Sequence, residues 1–514
     1  MKYYMKLSVQ NVNATTKIKR QGSFLLVLLL MCTILVACAN NPKKDIVTSK
    51  NDGSMQNAIH ETSSNNGSLE IEPSRITWQK EFMSTDGSVS FFVNINNEVS
   101  PDVRQVVEVI PHMLTEDDLQ RVATVLLGDI QFYERRTSSN PQYSKSQYQE
   151  MIARMSPYAT KERLADLMGA SGAEVYLEYV QLFIESWTEE YESAPEGDPR
   201  TPCDWVLKKE RVYNDSKIEI GNRVLDDDMN VLYANAQKNG VEYIYSVIRH
   251  SGKTHKLNLI SLQLSEGIGL IPVDQAIYRS MLCRTEKPTE EQITAVSQEA
   301  QTMLEQMQLG EWEIVSTEVE VSNSGAAPEY TIRLQAQPLI NGVSSILGQP
   351  NTAPQDAYAP TYQMTSAYFV FSANGDIVEF SLISPIDVID VPNQNVSTIS
   401  VDELAEKCMQ QLSLSDRAAY GLPDYFIEET EDYTGEKLLC QVSITEAEYG
   451  LGRVKVPNTD DNYYYIPVLA FRGTVVYISD KSGTVYFDNS PVKADEKSPI
   501  LLCINAIDGS IITN

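Results

Sequence analysis

Two stretches far apart in the chain follow one plan: FVFSANGDIVEFSLI at 369–383 and LLCINAIDGSIITN at 501–514. Each is an apolar run, an Asn-Gly or Asp-Gly turn, and a second apolar run. Asn, Asp and Gly tolerate the positive φ of tight turns, so each stretch predicts a strand that doubles back on itself. Upstream of each lies a capped amphipathic helix. Thr289 and Gln292 bracket the start of one, with Ile293, Val296, Ala300, Leu304 and Met307 on one face. Ser400 and Glu403 bracket the other, with Val401, Leu404, Ala405, Cys408 and Leu412 aligned. Both are capping-box spacings before an apolar period near 3.6.

Between helix and turn, each copy carries strand patterns. EWEIVSTEVEVS and EYTIRLQAQPL fill the first; KLLCQVSITEAEY, YYYIPVLAFRG and TVVYISD fill the second. Cap to glycine is 86 residues in one copy (Thr289 to Gly375) and 109 in the other (Ser400 to Gly509). The repeat is therefore one of architecture with different insertions, the polar 340–362 stretch among them. The terminal Asn505 and Asp508 could instead serve a ligand loop, but the recurrence favours a turn that closes a module.

A third region, 69–275, precedes these two. RITWQKEFMSTDGSVSFFVNINNEV reads as a hairpin about Asp86-Gly87. In PHMLTEDDLQRVATVLLGD, Thr115 and Asp118 have cap spacing, Leu119, Val122, Ala123, Leu126 and Leu127 share a face, and Gly128 ends the helix. A helical zone at 145–190 carries Tyr176, Val180, Phe183, Ile184 and Trp187 as a stripe. From 205 to 263 strands return, punctuated by Asn239-Gly240 and Ser251-Gly252. The expected class is α+β: an N-terminal α+β domain at 69–275, then two helix-plus-antiparallel-sheet modules at 286–390 and 398–514.

The first 37 residues read as a signal peptide. Lys2, Lys6, Lys17, Lys19 and Arg20 form a basic start without acids, and FLLVLLLMCTILVAC follows. The apolar run Phe24–Ala39 is 16 residues, shorter than the 18 or more that span a bilayer. Leu35-Val36-Ala37-Cys38 is similar to the bacterial lipobox, whose cysteine carries a diacylglyceryl thioether. The resemblance implies lipidation of Cys38 and a membrane anchor; the bland alternative is a free thiol, as at Cys32. Residues 38–68, rich in Asn, Ser, Lys and Gly, cannot bury enough apolar surface to order themselves and read as a flexible linker. His60 within it is most simply a solvated side chain.

Charge narrows the partners. The chain has 41 basic and 70 acidic residues, and loss of positions 1–37 with their five basic residues moves the net charge from −29 to −34. So acidic a surface repels nucleic acid and anionic headgroups. Five cysteines follow Cys38, namely Cys203, Cys283, Cys408, Cys440 and Cys503, with no C-x-x-C. An odd, sparse set argues against a disulfide framework; Cys408 with Cys440 is the one pairing singled out.

Motifs for chemistry are sparse. The chain has no H-E-x-x-H, no G-x-S-x-G, and no glycine-rich nucleotide fingerprint. Ser251-Gly252-Lys253-Thr254 lacks the earlier glycine of a phosphate loop, with Val247 five before Gly252. His112 follows Pro111 at a helix entrance, where packing or capping is expected. His250 and His255 flank a turn, with no acid between Glu242 and Glu266 to complete a metal site. Asp226-Asp227-Asp228 and Thr459-Asp460-Asp461-Asn462 lack calcium-loop spacing and read as solvated loops. No catalytic residue, cofactor or metal is assigned.

YYYIPVLAFRG followed by SPILLCINAIDGSII resembles the closing hairpins of PepSY-like modules, including those of exported YycI-type regulators. Over its length, from lipobox through VEVIPHMLTEDDLQRVATVLLGDIQFYE to INAIDGSII, the chain is similar to uncharacterised lipoproteins of clostridial-type Gram-positive bacteria. The resemblance implies a non-catalytic binding or regulatory role at the outer face of the cell membrane, with an envelope protein or peptide as partner. The alternative is a carbohydrate- or peptide-binding, or hydrolytic, lipoprotein with a cleft between domains.

Overall fold

The structure, a computed structural model, describes residue 59 and residues 74–99, 103–134, 143–209, 229–251, 256–265, 272–283, 286–323, 327–346, 365–415, 417–420, 424–457, 459, 461–490 and 497–512. The signal segment 1–37, Cys38, most of the 38–68 linker, His60, Asp226–Asp228, His255, Asp460 and most of the 340–362 insertion lie outside them, as does the His250 side chain. The chain parts into two units, Met1–Thr48 and Ser49–Asn514, and every described residue belongs to the second.

The elements run as follows. Strands β1 (Ser74–Met83), β2 (Val89–Val99) and β3 (Val106–Pro111) lead to helix α1 (Glu116–Leu127), short β4 (Tyr133–Glu134), α2 (Lys145–Met155) and long α3 (Lys161–Ser193). Then come β5 (Lys208–Lys209), β6 (Met229–Lys238), β7 (Val241–Ser251), β8 (Lys256–Leu264) and α4 (Pro272–Cys283). The 286–390 stretch supplies α5 (Glu290–Met307), β9 (Glu311–Ser322), β10 (Glu329–Ile340), β11 (Val343–Ser344), β12 (Ser366–Ser372) and β13 (Ile377–Ile383), and β14 (Ile386–Asn393) crosses its end. The last stretch supplies α6 (Val401–Leu414), α7 (Asp424–Thr434), β15 (Leu438–Lys455), β16 (Tyr463–Ser479), β17 (Val485–Asp488) and β18 (Ile500–Asn505).

These strands form two sheets, so the α+β class holds. The first has the order β1-β2-β15-β16-β3-β14, with β17 and β18 also on β16. The second has the order β11-β10-β12-β13-β8-β7-β6-β4, with β9 on β10 and β5 on β6. Strands from 69–275 thus enter both: β1 to β3 join those of 398–514, whereas β4 to β8 join those of 286–390. The link from β2 to β15 is parallel, with Val89 opposite Cys440 and Val93 opposite Ile444. Beyond it β15 bulges, and the Asn97 amide continues the pairing by donating to Ala447 O (2.7 Å) and accepting from Ala447 N (3.1 Å).

Alternation places the core. Val89, Phe91, Val93 and Ile95 point one way from β2 and bury against Val442 and Ile444 of β15, Leu404, Cys408 and Leu412 of α6, and Ile427 of α7. The second sheet buries Tyr245, Val247, Ile260, Leu262, Phe369, Phe371 and Phe380 in one core with the apolar faces of α1 and α5. Each such side chain contributes about 1.5–3 kcal/mol on burial. Helices α2, α3 and α4 make a third cluster around Met155, Leu164, Val180 and Trp187.

The two Asn/Asp-Gly turns are built alike. At the first, Ser372 Oγ accepts from the Asn374 amide (3.3 Å), and the Ala373 carbonyl accepts from Gln292 of the α5 capping box (3.0 Å). At the second, Asn505 Oδ1 accepts from the Ile507 amide (2.9 Å), and the Ala506 carbonyl accepts from the Ile399 amide just before α6 (2.9 Å). Gly375 and Gly509 both have positive φ, and a Cβ there would meet Glu299 of α5 (3.3 Å) and Lys407 of α6 (2.3 Å) respectively. Each turn closes against its own helix. Asn505 is 1% exposed and bound within the turn, which is the geometry of a structural corner.

Candidate functional site at the junction of the sheets

Where β3 leaves the first sheet at Pro111, the chain turns through His112 to Thr115, the N-cap of α1. His112 is pinned on three sides. Its amide donates to Pro385 O (2.7 Å), its carbonyl accepts from Asn258 Nδ2 of β8 (3.0 Å), and the Ser384 amide donates to Asn258 O (2.6 Å). The imidazole lies between two carboxylates: Nδ1 is 2.8 and 3.0 Å from the oxygens of Asp387 on β14, and Nε2 is 3.1 Å from Asp118 Oδ2 on α1.

Asp118 is the hub. Its Oδ2 also accepts from the Thr115 amide (2.8 Å) and hydroxyl (2.6 Å), completing the capping box, and its Oδ1 pairs with Arg121. Arg121 Nε in turn donates to Met307 O at the end of α5 (2.8 Å). One small network therefore ties α1, β14, β8 and α5 together.

A carboxylate at each ring nitrogen favours the imidazolium, the form in which both nitrogens donate. Burial alone pushes the His112 pKa down, but hydrogen bonds and charge from Asp387 and Asp118 outweigh it, and the net shift is upward. Burial opposes the Asp118 charge as well; the Thr115 donors and His112 override it and hold the carboxyl at about 2. In that form neither ring nitrogen takes up a further proton. The cluster holds this turn in position, with Thr115 and Asp118 forming the cap.

Beside Asp387 opens a cleft of about 310 Å³, lined by Leu309 to Trp312, Pro338 to Asn341 and Ile386 to Val388. It lies where the start of β9, the end of β10 and the start of β14 meet. Among the described residues β9 pairs only with β10, and β14 only with β3, so each offers an open edge. Val388 and Ile389 on β14 are 49% and 48% exposed. Trp312 is 4% exposed and donates its indole N–H to Leu309 O (3.1 Å), so it forms wall and presents no stacking face. Glu311 and Asp387 are the charged lining residues, both acidic. A second depression, about 320 Å³, runs along α1 past Asp117, Arg121 and Val125.

The other residues singled out in the sequence disperse. Thr459 Oγ1 donates to Val456 O (2.8 Å), and Asn462 Nδ2 donates to Glu108 of β3 (2.6 Å). Among the described residues no group of three or more His, Cys, Asp or Glu is placed to hold a metal. All five described cysteines are free, Cys408 and Cys440 included. Burial pushes the Cys440 thiol up to about 11 and those of Cys283 and Cys503 to about 12. Asp387, the residue the sequence did not flag, comes from 275 positions beyond His112. Its signal was an acid inside an apolar run, PIDVIDV.

No family model matches the chain, and no curated protein matches it. Among solved structures it is similar to an uncharacterized protein from Eubacterium rectale, over 92% of this chain and 99% of that one, at 10% identity and a TM-score of 0.30. Likeness at that level assigns neither fold nor function.

Proposed function

We propose that the chain is a lipid-anchored extracytoplasmic protein, held to the membrane through Cys38, with a non-catalytic binding or regulatory role at the cell envelope exercised through its PepSY-like modules. The cleft beside Asp387 carries this reading. An apolar hollow flanked by two open strand edges suits an extended segment of an envelope protein, which adds backbone hydrogen bonds along an edge and an apolar anchor in the hollow. Its acidic lining favours a basic segment. The hydrolytic alternative needs two free carboxylates; Glu311 and Asp387 share the cleft, but Asp387 is committed to His112.

Envelope extract passed over the immobilised Ser49–Asn514 unit tests the reading. Enrichment of one envelope protein, abolished by Val388→Asp, is expected. No enrichment, or enrichment indifferent to that change, would count decisively against it.

A further inference from the structure

Helix α3 has more apolar face than the described residues cover. Gly169 interrupts it with φ 82° and ψ 168°, and the helix resumes through residues 170–193. Ala173, Val180 and Trp187 are buried against α2 and α4, with Tyr176, Leu177, Phe183, Ile184 and Tyr191 partly buried beside them. Val175, Tyr179 and Leu182 remain 56%, 54% and 53% exposed. They stand at i, i+4 and i+7, within one sector of about 60° at ~100° per residue, and adjoin Tyr176 and Phe183. The whole apolar arc spans about 220°, roughly twice the stripe a core-facing helix needs. Single exposed apolar side chains are ordinary; an aligned row continuous with a core face is a contact surface.

Charge selects what fits it. From 164 to 199 the sequence holds nine acidic residues and no Lys or Arg. On the helical wheel Glu178, Glu185 and Glu189 border the row on its solvent side. A second copy would bring these carboxylates together, and anionic headgroups would meet the same repulsion. An amphipathic helix with basic flanks would bury the row and pair with its border.

We propose that the outer face of α3, centred on Val175, Tyr179 and Leu182, docks a basic amphipathic helix of a partner protein. This does not rest on the cleft beside Asp387. The probe is a labelled Leu/Lys amphipathic peptide of about 18 residues, five helical turns, with its Leu/Glu counterpart as control, titrated against the compact Ser49–Asn514 unit. Saturable binding of the Lys peptide alone is expected, weakened on the order of tenfold by Tyr179→Ser with Leu182→Ser and unchanged by Met83→Ser with Val485→Ser. All four positions are more than half exposed, so folding should survive, and far-UV circular dichroism checks it. Equal affinity in the α3 variant, binding without saturation, or no binding would overturn the proposal. So would a dimer in sedimentation that the α3 variant dissolves, which would assign the face to a second copy.

Discussion

His112 carries a charge whose presence depends on pH. Asp387 and Asp118 face it directly, and Arg121 stands behind Asp118. Because its folded pKa is raised above the ordinary 6.5 of a histidine, its contribution is complete below that value and is lost as pH rises through the folded pKa. His112→Gln should therefore lower the unfolding free energy measured in urea at pH 6 by about 1–3 kcal/mol, with the gap to the unaltered chain narrowing as pH rises. A gap independent of pH would remove the imidazolium from the junction. Asp118 has the opposite sign. Held at about 2, it stabilises above its unfolded pKa, and that contribution disappears as pH falls through about 2. Asp118→Asn at pH 7 should cost about 2–3 kcal/mol, against little change for exposed Glu116→Gln, by chemical denaturation. At the other end of the chain, Cys38→Ser should abolish incorporation of labelled fatty acid and release the protein from membranes.

Elements follow local rules, and these were the legible part. Thr115, Thr289 and Ser400 cap α1, α5 and α6 as their spacing implies, because a cap needs only residues three apart. Gly87, Gly375 and Gly509 take positive φ in the expected turns. The apolar stripe marks 145–190 as a helical zone without marking its breaks, which fall at Ser156–Tyr158 and at Gly169. Gly473 carries no local signal, since its reason lies on another strand: a Cβ there would fall 1.9 Å from Ser443 O, beside the β15 bulge. Gly473→Ala should cost about 3 kcal/mol and disturb the β15–β16 register. Gly342→Ala, with positive φ and open space, should cost only about 1–2 kcal/mol. Parallel thermal melts of the two variants check this ordering, and equal losses would contradict it.

At the scale of the molecule, strand partners were not legible. Alternation tells which face of β2 or β15 is buried, but nothing local says that Val89 pairs with Cys440, or that β13 takes β8 as its neighbour. The candidate site shared that fate: His112 and the cap at Asp118 could be read, and Asp387 and the cleft could not, because the fold alone brings β14 to β3. The histidine junction, and the placing of β14 beside the cleft, depend on strands from 74–264 completing both sheets. The most direct measurement is the unfolding of residues 286–514 produced alone, compared with Ser49–Asn514. Without β2 the second edge of β15 loses its parallel partner, and without β8 the edge of β13 lies bare, leaving each strand with one open edge. The fragment should lack a cooperative transition and near-UV circular dichroism, while the longer chain retains both. A sharp transition with native-like near-UV signal in the fragment would contradict the interleaved architecture.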